Sequence, residues 1–531
     1  MLHRTQSSRA RLRADSGRSV MLADMRSPRA PLSPVLLALF AACADGGDSN
    51  TLGASTSVTI TSASNGSTAD SGTSGGAPTT TSQTSDETGE PATNSTSEPG
   101  TTGEPTTAGT TTTDGTTGDP LAGLELEETF NGGVANGWAK VERWRDPNPA
   151  FIQEDRFSLD MRASQTGQRL EFFGGDPAPH SGVFLLYYAP GWDAAKKSTP
   201  ILLAHGANDQ ADRAWANPGE TGDFGCGQST CPKTGLMQSL SDQGYSVFAI
   251  SHPHSQGDNY FWAEQIHDAI TIVRARTGAE KVDLVGWSKG VMSTRMYTSS
   301  LTEDWGTPYQ EDVRKLVLIG GPNLGFDYIF RYGTAHNAGI YADYGGKIHA
   351  PGPHDELLIF GAWVDRADYG IFKSAKGDNF RGQLQMLARW DAKYPLTGQA
   401  NNGAGPYAVG DSESTYYGEA KAKGLFARGK GIDVAIAQGS VIAPMVAAGI
   451  PASIETYLLC GDLDLKDNTK LIPGLPNEIS GPSDGIVLVD SCSAKDGVGN
   501  LAGTALLKNV NHLQLGWHAD SVAKLVAWLG N

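Results

Sequence analysis

Cationic residues are in short supply. The 531-residue chain has 41 Lys and Arg against 58 Asp and Glu, a formal net charge of −17. Nucleic-acid binding rests on clustered Lys and Arg that displace counterions from phosphates, so the balance argues against a nucleic-acid partner. Long apolar runs are lacking too. Leu32–Ala42 (LSPVLLALFAA) is too short to cross a bilayer, which takes roughly 20 apolar residues. There are only 5 Cys, and no His or Cys cluster near them has zinc spacing, so no metal is expected. Phosphate-loop, dinucleotide and haem-attachment patterns are also missing, and no cofactor is expected. Between residues 43 and 120 apolar groups almost vanish, as in TSQTSDETGEPATNSTSEPGTTGEP. Such a composition buries too little to offset the entropy of ordering. It reads as a disordered acidic Thr/Ser/Gly-rich linker with a reach of roughly 50 Å if it behaves as a flexible coil, its threonines open to glycosylation.

What is present at the N-terminus is an address. Met25–Arg29 is basic, the run Leu32–Ala42 has signal-peptide proportions, and residues 1–42 read as a signal peptide. The basic residues before Met21 or Met25 fit an over-extended start. Leu39-Phe-Ala-Ala-Cys43 resembles a bacterial lipoprotein cleavage box, with Phe40 where Leu is usual, and so implies lipidation of Cys43. The alternative is ordinary cleavage near Ala42. The protein is thus expected to be exported, either as an outer-membrane lipoprotein with a membrane tether at Cys43 or as a secreted protein. Setting Cys43 aside leaves Cys226, Cys231, Cys460 and Cys492, an even number that suggests two disulfides in an oxidising compartment. Cys226 and Cys231 bracket a short loop and are close enough to pair. That leaves Cys460 with Cys492, a staple expected to contribute roughly 3–4 kcal/mol.

Residues 121–531 can bury one large core. RLEFF and GVFLLYYAP, between Phe157 and Tyr188, fit antiparallel strands. Apolar strands at Pro200–His205, Ser246–Ile250, Val282–Val285, Val317–Ile319, Ile454–Leu459 and Thr504–Asn509 then alternate with helical patterns such as YFWAEQIHDAITIVRARTG. Such alternation predicts an α/β fold: a mostly parallel sheet with helices on both faces. It is interrupted by a large insertion, about 325–452, containing HDELLIFGAWVDRADYGIF, NFRGQLQMLARW and GKGIDVAIAQGSVIAPMVAAG. An irregular loop of that size is improbable. Its apolar helical patterns predict a cap over the site, or else a second subdomain with no part in substrate entry.

The chemistry is carried by Gly286-Trp-Ser-Lys-Gly290, which follows a strand and precedes a helix. Two glycines around Ser288 signal a turn too tight for a Cβ, which would present the serine at a helix N-terminus where the Lys289 N–H can point at an oxyanion. In this setting G-x-S-x-G reads as a nucleophile elbow.

From Val183 to Asn531, the insertion apart, the chain here resembles the α/β-hydrolase superfamily, and within it secreted bacterial triacylglycerol lipases and esterases. His205-Gly206 after ILLA is similar to the lipase His-Gly pair. The resemblance implies that Ala207 supplies the first oxyanion N–H, with Lys289 the second, and that His205 orients its own loop. GPSDGIVLVDSC resembles the lipase segment that carries the triad acid and implies Asp484. Asp462 and Asp464, directly after the preceding strand, are the rivals. LKNVNHL implies His512 as the general base, with His518, at the start of the C-terminal amphipathic helix, the rival, read instead as a surface or capping residue. Calcium-dependent lipases often have Asp two residues after that histidine; here it is Gln514, which puts that calcium site in doubt. The side chain of Lys289 reads as incidental, since the role at this position belongs to the backbone. The resemblance implies a carboxylic ester hydrolase acting on hydrophobic esters through an acyl-serine. The alternatives are a polyester depolymerase or acyltransferase with the same triad, and an inactive surface-binding module.

Overall fold

The runs Val183–Tyr188 (VFLLYY), Ile201–Ala204 (ILLA) and Val247–Ser251 (VFAIS) are buried along their whole length, as strands covered on both faces must be. They lie in the interior of a nine-stranded sheet. The structure, a computed structural model, describes residues 119–154, 165–220, 226, 230–328, 381–396, 416–417, 432–437, 439–463 and 481–530, with the backbone of four short strands between 349 and 373. The signal peptide, Cys43, the linker as far as residue 118 and Asp464 lie outside the described residues.

In chain order the strands are β1 (Glu125–Phe130), β2 (Lys140–Arg145), β3 (Val183–Tyr188), β4 (Ile201–Ala204), β5 (Val247–Ser251), β6 (Val282–Trp287), β7 (Val313–Ile319), the short β8–β11 (His349–Ala350, Glu356–Ile359, Ala362–Asp365, Phe372–Lys373), β12 (Glu455–Asp462) and β13 (Leu501–Lys508). The main sheet runs β1-β2-β3-β5-β4-β6-β7-β12-β13. β1, β2 and β3 pair antiparallel, β3 meets β5 antiparallel, and every later pairing is parallel. The period of two along each strand divides the core. Leu186, Leu202, Phe248, Leu284 and Leu318 face α3 (Asn259–Thr277) and α4 (Lys289–Thr298). Leu185, Leu203, Ala249, Val285 and Ile319 face α2 (Leu236–Ser241) and the C-terminal helix Ala519–Leu529. This is the α/β-hydrolase fold.

Three local readings are corrected. Arg169–Phe173 is not a strand: Gly167–Phe172 is a helix, α1, and Phe173 N–H bonds Arg169 O. Phe172 packs against Phe130 (4.6 Å) and Tyr187 (6.3 Å), and Phe173 is buried beside it, so tertiary packing overrides the β preference of the Phe pair. The antiparallel partners of β3 are β2, earlier in the chain, and β5. β1, ELEETF, is an exposed acidic edge, with Glu127 bridging Arg143 (2.7 Å) and Arg145 (2.5 Å), and charge of that kind is how edge strands resist further pairing. In the insertion, Glu356–Ile359 and Ala362–Asp365 are strands rather than helix; β9 and β10 form an antiparallel pair with Ile359 opposite Ala362. Among the described residues the insertion's helices are short: α5 (Arg381–Leu384), α6 (Ile432–Ala437) and α7 (Ile442–Ala448). Leu384, Ile432, Ala435, Ile442 and Met445 join the core cluster of the α3 face.

Candidate active site

The end of β6 and the start of α4 are joined by one residue, Ser288, whose backbone sits at φ 55°, ψ −121°. A serine adopts positive φ only where its surroundings impose it. The two flanking glycines are those surroundings. A Cβ on Gly286 would come within 2.6 Å of Thr294 Oγ1, and one on Gly290 within 2.5 Å of His205 O. The turn therefore needs glycine at both ends, and it lifts the hydroxyl clear of the sheet edge.

His512 lies just past β13, 5% exposed. Its Nε2 is 2.8 Å from Ser288 Oγ, and its Nδ1 is 2.7 Å from Asp484 Oδ2. The other oxygen of Asp484 accepts from the N–H groups of Ile486 (3.0 Å) and Val487 (2.8 Å), while Asp484 O accepts from His512 N–H (2.8 Å). A carboxylate satisfied in this way holds Nδ1 protonated and leaves Nε2 as the acceptor facing the hydroxyl. The structure thus brings Ser288, His512 and Asp484 together. Asp462 is elsewhere: at the end of β12 it accepts from Lys508 Nζ. His518 caps the C-terminal helix, its Nδ1 accepting from Asp520 N–H at 3.3 Å. Gln514 closes the same turn as His512, exchanging bonds with Asn511 at 2.8 and 2.9 Å.

His205 is fully buried. Its Nδ1–H donates to Gly206 O (2.7 Å), and its Nε2 accepts from His252 N–H (3.2 Å). Burial pushes it down to about 3, so it stays neutral, as this tautomer requires. Its ring also packs against His252 and Trp262, themselves stacked at 3.8 Å. This assembly braces the loop that carries Gly206 and Ala207 beside Ser288. Lys289 is buried too. Its amine lies 3.0 Å over the Trp262 ring, has no hydrogen-bond partner among the described residues, and is driven well below the usual lysine range by burial. Its backbone N–H opens α4, where no intrahelical acceptor exists.

Gly206, Ala207, Asn208, Trp287, Ser288, Ile486, His512 and Leu513 line one pocket, together with Phe326, Tyr328, Gln383 and Met386 from the insertion. Its wall also includes the buried pair Arg213–Asp209, joined Nε to Oδ1 at 2.8 Å, with Arg213 5.4 Å from the Trp287 ring. Sequence reasoning found neither that pair nor Gln383 and Met386. The only signal was the i, i+4 spacing of Asp209 and Arg213. The cysteines pair as expected, Cys226–Cys231 and Cys460–Cys492, and the two disulfides suggest an extracellular setting.

The sheet order and the strand–serine–helix turn define the fold class, that of the α/β hydrolases. Within it, residues 198–335 match the family model described as Lipase (class 2), and the chain is similar to bacterial lipases and esterases of that fold. The match takes in Ser288 and His205 but ends before Asp484 and His512. Among solved structures, Staphylococcus hyicus lipase is 12% identical over 63% of this chain and 94% of its own, at a TM-score of 0.33. A mature Bacillus licheniformis lipase is 12% identical over 63% and 92%, TM-score 0.31. A thermostable Bacillus coagulans carboxyl esterase is 12% identical over 66% and 95%, TM-score 0.32. No curated protein matches the chain. The lipase match supports an ester hydrolase.

Proposed function

We propose that the protein is an exported serine hydrolase of carboxylic esters, acting through an acyl-enzyme. The observation that carries this reading is the chain of bonds from Ser288 Oγ through His512 to Asp484. A serine hydroxyl is a poor nucleophile until a base takes its proton. In the proposed mechanism His512 Nε2 removes that proton as Oγ attacks the ester carbonyl. Asp484 stabilises the imidazolium, and the N–H groups of Ala207 and Lys289 receive the oxyanion. The imidazolium then protonates the departing alkoxide, leaving an acyl-serine. Water, activated by the same imidazole, releases the acid and restores Ser288. The apolar wall formed by Phe326, Met386, Ile486 and Leu513 suits a hydrophobic ester, and the insertion that supplies two of these residues acts as the cap. Lipidation of Cys43 and the linker would tether the enzyme to a membrane surface.

The test is Ser288→Ala with a p-nitrophenyl acyl ester. Turnover should fall by about 10⁶-fold; a loss of only a few-fold would overturn the assignment.

A further inference from the structure

We propose that Glu264, His267 and Asp268 form a binding site for a first-row divalent transition-metal ion, Zn²⁺ by preference, outside the serine site. The three lie at i, i+3 and i+4 on α3 and so share one face of the helix. Each offers a donor atom, and the donors lie within 4.8 Å of one another. His267 Nδ1 is 3.3 Å from Asp268 Oδ1 and 3.8 Å from Glu264 Oε1. An ion held at about 2.0–2.2 Å by nitrogen and oxygen ligands spaces those ligands by roughly 3–4 Å.

A second observation points to a ligand. Asp268 is 3% exposed, and its other oxygen, Oδ2, is buried with no hydrogen-bond partner among the described residues. Oδ1 already faces the His267 imidazole, but a second buried carboxylate oxygen left without a donor is costly, and a cation held by this group answers it. The local charge adds to the demand. The carboxylates of Asp146 and Asp312 also act on His267, and Arg274 is drawn to Asp312 at 3.7 Å. Glu264 is already oriented, its two oxygens accepting from Thr307 N–H and Oγ1 at 2.7 Å each. An imidazole with two carboxylates favours zinc-like ions over Ca²⁺, which takes oxygen ligands throughout. A bound ion would lock α3 to the loop carrying Thr307.

The experiment strips the full-length protein with chelator and titrates it with ZnCl₂, and separately with CaCl₂, by calorimetry and thermal unfolding. We expect one equivalent of Zn²⁺ to bind and raise Tm, with Ca²⁺ inert. Asp268→Asn and His267→Gln should each weaken Zn²⁺ binding at least tenfold, by the usual scale for metal-site changes. Co²⁺, displaced by stoichiometric Zn²⁺ and followed by its visible absorption, reads the wild-type site without any variant. Absence of Zn²⁺ binding, Ca²⁺ binding in its place, or Zn²⁺ binding untouched by both substitutions would overturn the proposal. A Tm change on Asp268→Asn that is the same with and without Zn²⁺ would assign the group to a metal-free His–Asp pair instead.

Discussion

Asp484 and Asp462 compete for one imidazole, and their surroundings separate them. Asp484 receives two backbone N–H bonds on one oxygen and His512 Nδ1 on the other. Asp462 is engaged by Lys508. If Asp484 sets the tautomer of His512, then Asp484→Asn offers an amide that no longer stabilises an imidazolium and favours the wrong ring nitrogen. Turnover of a soluble acyl ester should drop by about 10³–10⁴-fold, with KM little changed. Asp462→Asn should stay within a few-fold of wild type. Comparable losses in the two variants would sink the assignment.

Among the elements, the segment between Cys460 and Cys492 matters most to the acid. The bond fastens the end of β12 to the short helix Val489–Cys492, and Asp484 lies on the loop so closed. Removing a bond across a 32-residue separation should lower stability by about 3–4 kcal/mol in urea unfolding. For the double variant Cys460→Ser/Cys492→Ser we also expect reduced kcat, because the loop presenting Asp484 is no longer held at both ends. The Cys226→Ser/Cys231→Ser pair, spanning a separation of 5, should cost less. Equal costs would show that loop length does not govern the effect. The elements legible in the sequence were those with local causes. Fully buried strands announce themselves as apolar runs, and the Ser288 turn as two glycines that nothing larger can replace. Arg169–Phe173 was not legible, because Phe172 is placed by Phe130 and Tyr187, distant partners the local pattern does not contain. β1 was hidden by its charges. Gln383 and Met386 reach the pocket through the path of the insertion, which no periodicity encodes.

For the whole molecule, the relation between pH and stability follows from buried histidines. His205 is held neutral and down to about 3 by burial, and His252 is pushed well below its usual range by burial and by the charge His205 would carry. In the unfolded chain both titrate near 6.5. Below that pH the unfolded state gains protons that the folded state refuses, so stability falls as pH drops from about 6.5 toward the folded values, by about 1.4 kcal/mol per pH unit for each histidine. Glu220 acts in the opposite direction. Burial and the neighbouring Asp212 raise it to about 7, so the fold binds its proton more tightly and is favoured on the acid side between the ordinary carboxylate range and 7. Asp268, which burial also raises to about 7, acts in the same direction as Glu220, so the histidine contribution is read one residue at a time. His205→Gln isolates one contribution: urea unfolding at pH 6.5, 5.5 and 4.5 should give a slope shallower than wild type by about 1.4 kcal/mol per unit, whatever the variant loses at neutral pH. Parallel slopes would mean that His205 is charged in the fold, and the neutral tautomer that braces the loop of Gly206 and Ala207 would have to be abandoned.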